Sequence, residues 1–117
     1  MTPQAFILAL KTQVADSAAS EVNYYRKPPS KHPPEHLKRF SQWFNQLSES
    51  DKEIVGELVR YAKEGELFSL LTYFDNLAFL PGERGKLELF HVDEDGNRTR
   101  LNEPGGELLT DIFNNEG

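Results

Sequence analysis

The 117-residue chain contains no cysteine, and it has one methionine and one tryptophan. Without cysteine it forms no disulfide, no thiolate metal site and no cysteine nucleophile. Because small secreted domains often depend on disulfides, this absence favours a reducing, cytoplasmic location. No apolar run approaches the roughly 18 residues that span a bilayer. No basic residue precedes the apolar segment 5–10, as one would in a signal peptide. We therefore expect a cytoplasmic protein with no membrane association.

Basic residues are outnumbered, and they are unevenly placed. The net charge is −6, from 13 Lys and Arg against 19 Asp and Glu. Residues 1–47 hold six bases against three acids, whereas residues 48–117 hold seven bases against sixteen acids. Because phosphate is repelled by an acidic surface, this composition argues against general nucleic-acid binding.

The length predicts a single domain covering residues 1–117. Its first part is an N-terminal helix over 1–27, which Thr2 caps and Pro3 opens. A stiff, proline-rich connector follows at 28–34. The remaining residues, 35–117, are expected to form a helical core with a hairpin.

Helical spacing of apolar residues predicts three further helices. One opens at Pro34. The next starts with a capping box over 50–53, with Ile54, Val55, Leu58, Val59 and Ala62 as its buried stripe. The last runs over 66–77, behind Gly65 as a C-cap or kink.

Alternation over residues 86–92, the Asp95-Gly96 pair and a return strand over 98–101 predict a β-hairpin. A short closing helix follows, built on Leu108, Leu109, Ile112 and Phe113, with fraying from Asn114. The predicted fold class is α+β and mostly helical, with about four helices followed by a C-terminal β-hairpin and a short closing helix. Because a lone hairpin is marginal in water, it must pack on the helices or pair with a second copy.

The last third of the chain is acidic. Its acids are Glu88, Asp93, Glu94, Asp95, Glu103, Glu107, Asp111 and Glu116. Six of these are predicted to contact a basic protein partner: Asp93, Glu94, Asp95, Glu103, Glu107 and Asp111. A plain solvated surface would have the same composition.

Two segments of the sequence partly match metal-binding motifs, but each lacks a feature that its metal site requires. His32, Glu35 and His36 have the spacing of inverted zinc proteases, but Pro33 places His32 outside the helix that holds His36. Asp93 begins a run similar to a calcium loop, but the later ligand positions fail. We predict no metal site and no cofactor.

One basic and aromatic cluster comprises Tyr24, Tyr25, Arg26, Lys27, Lys31, Lys38, Arg39, Phe40 and Trp43. Stacking rings beside cations are able to bind single-stranded nucleic acid. Aromatics at helical spacing are more often buried, so Tyr25, Phe40 and Trp43 are predicted to be core. The cations could also dock the acidic end of this chain or of a second copy.

Three segments carry a resemblance: residues 47–55, 68–77 and 101–113. They resemble a family of small uncharacterised bacterial proteins, over roughly residues 36–114 of this chain. The resemblance implies no activity and no catalytic residue. In bulk character, the chain is also similar to small acidic immunity proteins that neutralise toxins.

Three hypotheses follow. The leading one is a non-enzymatic interaction protein, an immunity-type or regulatory inhibitor that binds a basic partner. The second is a small enzyme with a site assembled from Tyr73, Asp75, Asn76 and His91. The third is a homodimeric scaffold in which two hairpins extend one sheet.

Overall fold

The computed structural model describes residues 1–115, so Glu116 of the acidic set lies outside the described residues. The fold is mostly helical α+β. Its elements are α1 (Pro3–Arg26), α2 (Glu35–Phe44), α3 (Glu49–Phe74), β1 (Phe90–Val92), β2 (Arg98–Arg100) and α4 (Leu109–Asn115). Within residues 1–115, none of the helices combines the length and apolar character needed to cross a bilayer.

The chain divides into two compact units, whose boundaries fall inside α1 and α3. The hairpin unit comprises residues 1–12 and 65–117, and the helical unit comprises residues 13–64. By sequence, the hairpin unit holds eleven acids against five bases, and the helical unit holds eight of each. The net negative charge of the chain therefore belongs to the hairpin unit.

Helix α1 begins and ends where local signals predict. The Ala5 N–H donates to the Thr2 hydroxyl oxygen at 3.0 Å, so Thr2 caps the helix that Pro3 opens. The helix ends at Arg26, ahead of Pro28 and Pro29. Helix α2 then begins at Glu35, with Pro34 at its N-cap.

The predicted third and fourth helices are one continuous helix, α3, so three helices precede the hairpin and one follows it. Its cap is Ser48, whose hydroxyl accepts the Asp51 N–H at 3.2 Å, two residues before the predicted start. Gly65 neither caps nor ends it. A glycine inside a helix costs only about 1 kcal/mol, which the surrounding hydrogen-bond ladder outweighs.

Asn76 terminates helix α3 by adopting the left-handed conformation, with φ 58°. The Asn76 N–H donates to the Tyr73 carbonyl, and the Leu77 N–H donates to the Thr72 carbonyl, both at 3.0 Å. These two bonds form a Schellman motif, a helix end that glycine usually provides.

The two strands pair antiparallel, with Phe90 opposite Arg100 and Val92 opposite Arg98. Both are shorter than predicted, and β1 lacks residues 86–89. The reason lies at Leu87, because the Asn76 amide oxygen accepts its N–H at 2.8 Å and the Asn102 amide donates to its carbonyl at 2.9 Å. Side-chain amides thus replace the strand partner that Leu87 would need.

Each unit buries only a few apolar side chains. Those of the hairpin unit are Ile7, Leu67, Leu71, Leu101, Leu109 and Ile112, and those of the helical unit are Ala18 and Phe44. The buried stripe predicted for α3 is wrong at Ile54, Leu58 and Ala62, which are exposed. The side of α3 that packs in the helical unit carries Gly56 and Lys63 instead.

Replacing Gly65 by alanine tests the continuity of α3. No atom lies within 4 Å of the position that a Cβ would occupy, so Gly65→Ala should raise the free energy of unfolding by about 1 kcal/mol in urea titrations. Gly105→Ala is the contrasting variant, because Gly105 has φ 77° and alanine is strained there. A destabilising Gly65→Ala would contradict a continuous helix.

Candidate functional site

The buried side chain of Asn102 is the polar centre of the hairpin unit. Its oxygen accepts the Leu89 N–H at 2.9 Å and the Arg100 Nε–H at 3.1 Å. Its nitrogen donates to the carbonyls of Phe74 at 2.6 Å and Leu87 at 2.9 Å. An amide can make about four such bonds, so Asn102 is fully satisfied and joins the end of α3 to the hairpin.

Asp75 caps α4 from a distance. One carboxylate oxygen accepts the Leu109 N–H at 2.7 Å. The other accepts the Thr110 N–H at 2.9 Å and the Thr110 hydroxyl at 2.8 Å. Negative charge beside the first turn of a helix is favourable. Asp75 therefore has a structural role at the start of α4.

The turn before α4 has a defined geometry. The Gly106 N–H donates to the Glu103 carbonyl at 3.0 Å, and Gly105 at the third position has φ 77°. Pro104 at the second position and glycine at the third are typical of a type II turn. The turn displays Glu103 and Glu107 at the rim of a pocket of about 240 Å³.

The structure divides the six predicted partner-binding acids into two groups. Glu103, Glu107 and Asp111, here called the turn carboxylates, are exposed on the turn and on α4. Asp93, Glu94 and Asp95 lie in the hairpin loop, four residues beyond Leu89. At 3.4 Å per residue this is roughly 14 Å from the base of the hairpin. The three loop acids are therefore carried by a different part of the hairpin unit from the turn carboxylates.

Asp93 differs from the other five because its carboxylate organises the hairpin loop. It accepts the backbone N–H of Asn97 at 2.8 Å, the backbone N–H of Asp95 at 2.9 Å and the Asn97 amide at 3.1 Å. The Asn97 backbone bond, followed by its side-chain bond, holds the pKa of Asp93 below its usual range. Among residues 1–115, the other five carboxylates make no hydrogen bond or ion pair.

The residues of the enzyme hypothesis do not converge on one cavity. Tyr73 and Asn76 line an apolar pocket of about 200 Å³. Asp75 and Asn76 line the adjoining 240 Å³ pocket, and His91 lines neither. Both oxygens of Asp75 are already occupied by α4. No group of three metal-binding side chains is found within residues 1–115.

The outer edges of the hairpin carry no backbone partner within residues 1–115. Hydrogen bonds join Leu89 to Leu101 and Asp93 to Asn97. Because hydrogen-bonded pairs alternate in an antiparallel ladder, the N–H and C=O groups of Phe90 and Val92 point outward. These outward groups are available to pair with the hairpin of a second copy. The homodimer hypothesis stays a prediction.

The basic and aromatic cluster of the helical unit is only partly buried. Tyr25 packs against Phe40 and Phe44, with ring centroids 6.0 and 5.8 Å apart. Phe40 and Trp43 are about half exposed, so the prediction that they are core is wrong for these two. The short helix α2 directs Ser41 and Phe44 inward instead, and Trp43 lies about 100° around the helix from Phe44.

Glu21 lies at the centre of a small network in the helical unit. It pairs with the Lys63 ammonium at 3.0 Å and accepts the Tyr25 hydroxyl at 2.9 Å. The hydrogen bond from Lys63 is the main cause that lowers the pKa of Glu21. Burial, followed by the bond to Glu21, raises the pKa of Tyr25 to about 12.

Sequence reasoning missed Asn102 as the polar centre. An asparagine shortly before a proline–glycine sequence is typical of a turn. Its four partners lie up to 28 residues away, so no local pattern indicates them.

Comparison of the chain with protein-family models, with curated proteins and with solved structures found no match.

Removing the Asp75 carboxylate should loosen α4. Asp75→Ala leaves the first N–H groups of α4 without their acceptor, so we expect a loss of about 1–2 kcal/mol in the free energy of unfolding. Urea titration followed by circular dichroism measures it. Asp16→Ala, an exposed acid on α1, is the control, with a change within about 0.5 kcal/mol. Equal effects of both variants would refute the capping role.

Tyr25 should ionise at a higher pH in the folded protein than in the unfolded chain. Its phenol stays protonated in the folded protein up to about 12, whereas it ionises near 10 in the unfolded chain. Stability should therefore fall as the pH rises through this window. Absorbance titration of tyrosinate in wild type and in Tyr25→Phe isolates the Tyr25 step, which we expect near 12. A Tyr25 step near 10 would contradict the Glu21 contact.

Proposed function

We propose that the chain is a non-enzymatic interaction domain whose hairpin unit binds a basic protein partner, in the manner of an immunity-type or regulatory inhibitor. The observation that carries this proposal is the charge of the hairpin unit, eleven acids against five bases. The helical unit, with equal numbers of both, supplies no such field.

The turn carboxylates are the centre of this proposal. They are exposed and have no hydrogen bond or ion pair within residues 1–115. A partner cation therefore displaces only water from them. Their backbone is held by the type II turn and by the Asp75 cap on α4. Charges on an ordered frame bind with less loss of entropy than charges on a mobile tail.

Glu94 and Asp95 at the hairpin tip provide a second acidic contact. The loop that carries them is held by the Asp93 carboxylate. The distance from the tip to the hairpin base favours a partner of protein size, because a single small cation spans only one group. Complementary charge mainly speeds association and gives specificity, which suits inhibition of a basic enzyme or toxin.

Neutralising the turn carboxylates tests the proposal. The partner is first retained from a lysate of the source organism on the immobilised chain, purified, and confirmed to be basic. Its affinity and association rate are then measured against wild type and the variant Glu103→Gln, Glu107→Gln, Asp111→Asn. We expect a loss of about tenfold or more, mostly in association rate, and a flatter dependence on salt.

The matched control removes the same number and type of charges elsewhere. Asp16→Asn, Glu35→Gln and Glu66→Gln are exposed acids with no partner within residues 1–115. This variant has the same net charge as the first, so it separates a local surface from a bulk charge effect. Equal weakening by both variants, or no weakening by either, would sink the proposal.

A further inference from the structure

The outer face of α3 in the helical unit carries a stripe of exposed apolar side chains. Ile54, Leu58 and Tyr61 are spaced by four and three residues, which places them on one side of a helix. Their exposed fractions are 53, 61 and 77%. All three side chains of this apolar stripe are therefore more than half exposed to water.

The opposite side of α3 is the side that packs. A Cβ on Gly56 would lie 4.0 Å from Val22 of α1. The Lys63 ammonium donates to Ser17 at 3.2 Å and pairs with Glu21 at 3.0 Å. At 100° per residue, Gly56 and Lys63 lie roughly opposite the stripe, so the stripe points away from α1.

This arrangement inverts the usual polarity of a surface helix. The side chains of Lys52 and Lys63 are only 11 and 32% exposed, whereas Leu58 and Tyr61 are mostly in water. A surface helix normally buries its apolar stripe and solvates its cations. Covering the stripe with another element removes these apolar side chains from water.

The charged side chains beside the apolar stripe indicate which kind of element covers it. Asp51, Glu53, Glu57 and Glu64 border the stripe, and Arg60 is the cation among them, paired with Glu64 at 2.9 Å. A second copy laid antiparallel across the stripe would bring Glu57 of both copies together, and like charges oppose this. A partner with lysine or arginine beside an apolar seam meets the border with opposite charge.

We propose that the apolar stripe of α3 is the docking surface for a basic amphipathic helix of a partner protein. The partner helix presents apolar residues at intervals of three and four, flanked by lysine or arginine. This surface lies in the helical unit and includes none of the turn carboxylates.

The test uses a defined probe, a fluorescent leucine–lysine helical peptide of about five turns. Its binding to the full chain is measured by anisotropy, with a leucine–glutamate peptide of the same pattern as the charge control. We expect the wild-type chain to bind the basic peptide at least about tenfold more tightly than the acidic one. Leu58→Ser with Tyr61→Ser should weaken basic-peptide binding by about tenfold or more.

Leu8→Ser with Tyr24→Ser is the matched control, since these residues on α1 have the same types and are also about half exposed. It should leave binding unchanged. Circular dichroism confirms that the variants fold. Absence of binding by wild type, equal binding of both peptides, or equal effects of the two serine pairs overturns the proposal. So does a sedimenting dimer that Leu58→Ser with Tyr61→Ser dissociates, because a second copy would then be the occupant.

Discussion

The hairpin unit depends on the amide of Asn102. The Asn102 nitrogen donates to the Phe74 carbonyl at the end of α3 and to the Leu87 carbonyl. The Asn102 oxygen accepts the Leu89 N–H and the Arg100 Nε–H. Asn76 makes a parallel pair of bonds to Leu87. In a unit with few buried apolar side chains, these directional bonds set where the hairpin lies on α3, because a buried polar group without a partner is costly.

Hydrogen bonding also separates the acids of this unit into two kinds. The carboxylates of Asp75 and Asp93 accept hydrogen bonds within the fold. Asp75 holds the start of α4, and Asp93 holds the hairpin loop. The turn carboxylates project from a backbone that these bonds keep in place. A count of acidic residues cannot distinguish the two kinds, because both look alike in a sequence. Hydrogen bonding in the fold decides which charges remain for a partner.

The helical unit instead exposes an apolar stripe. Helix α3 has an apolar stripe on the side away from α1 and carries partly buried lysines on the packed side. Asp51, Glu53, Glu57 and Glu64 border this stripe. We propose a basic partner for each of these two surfaces.

Local chemistry in the sequence determined the start of α1 at Thr2 and Pro3, its end before the prolines, and the hairpin around Asp95 and Gly96. These features depend on neighbours within a few residues, so a linear pattern contains them. Tertiary structure decided the continuity of α3 through Gly65, the shortening of β1, and which side of α3 is covered. Apolar periodicity indicates that a helix has an apolar face, but only the packing of other elements decides whether that face is buried.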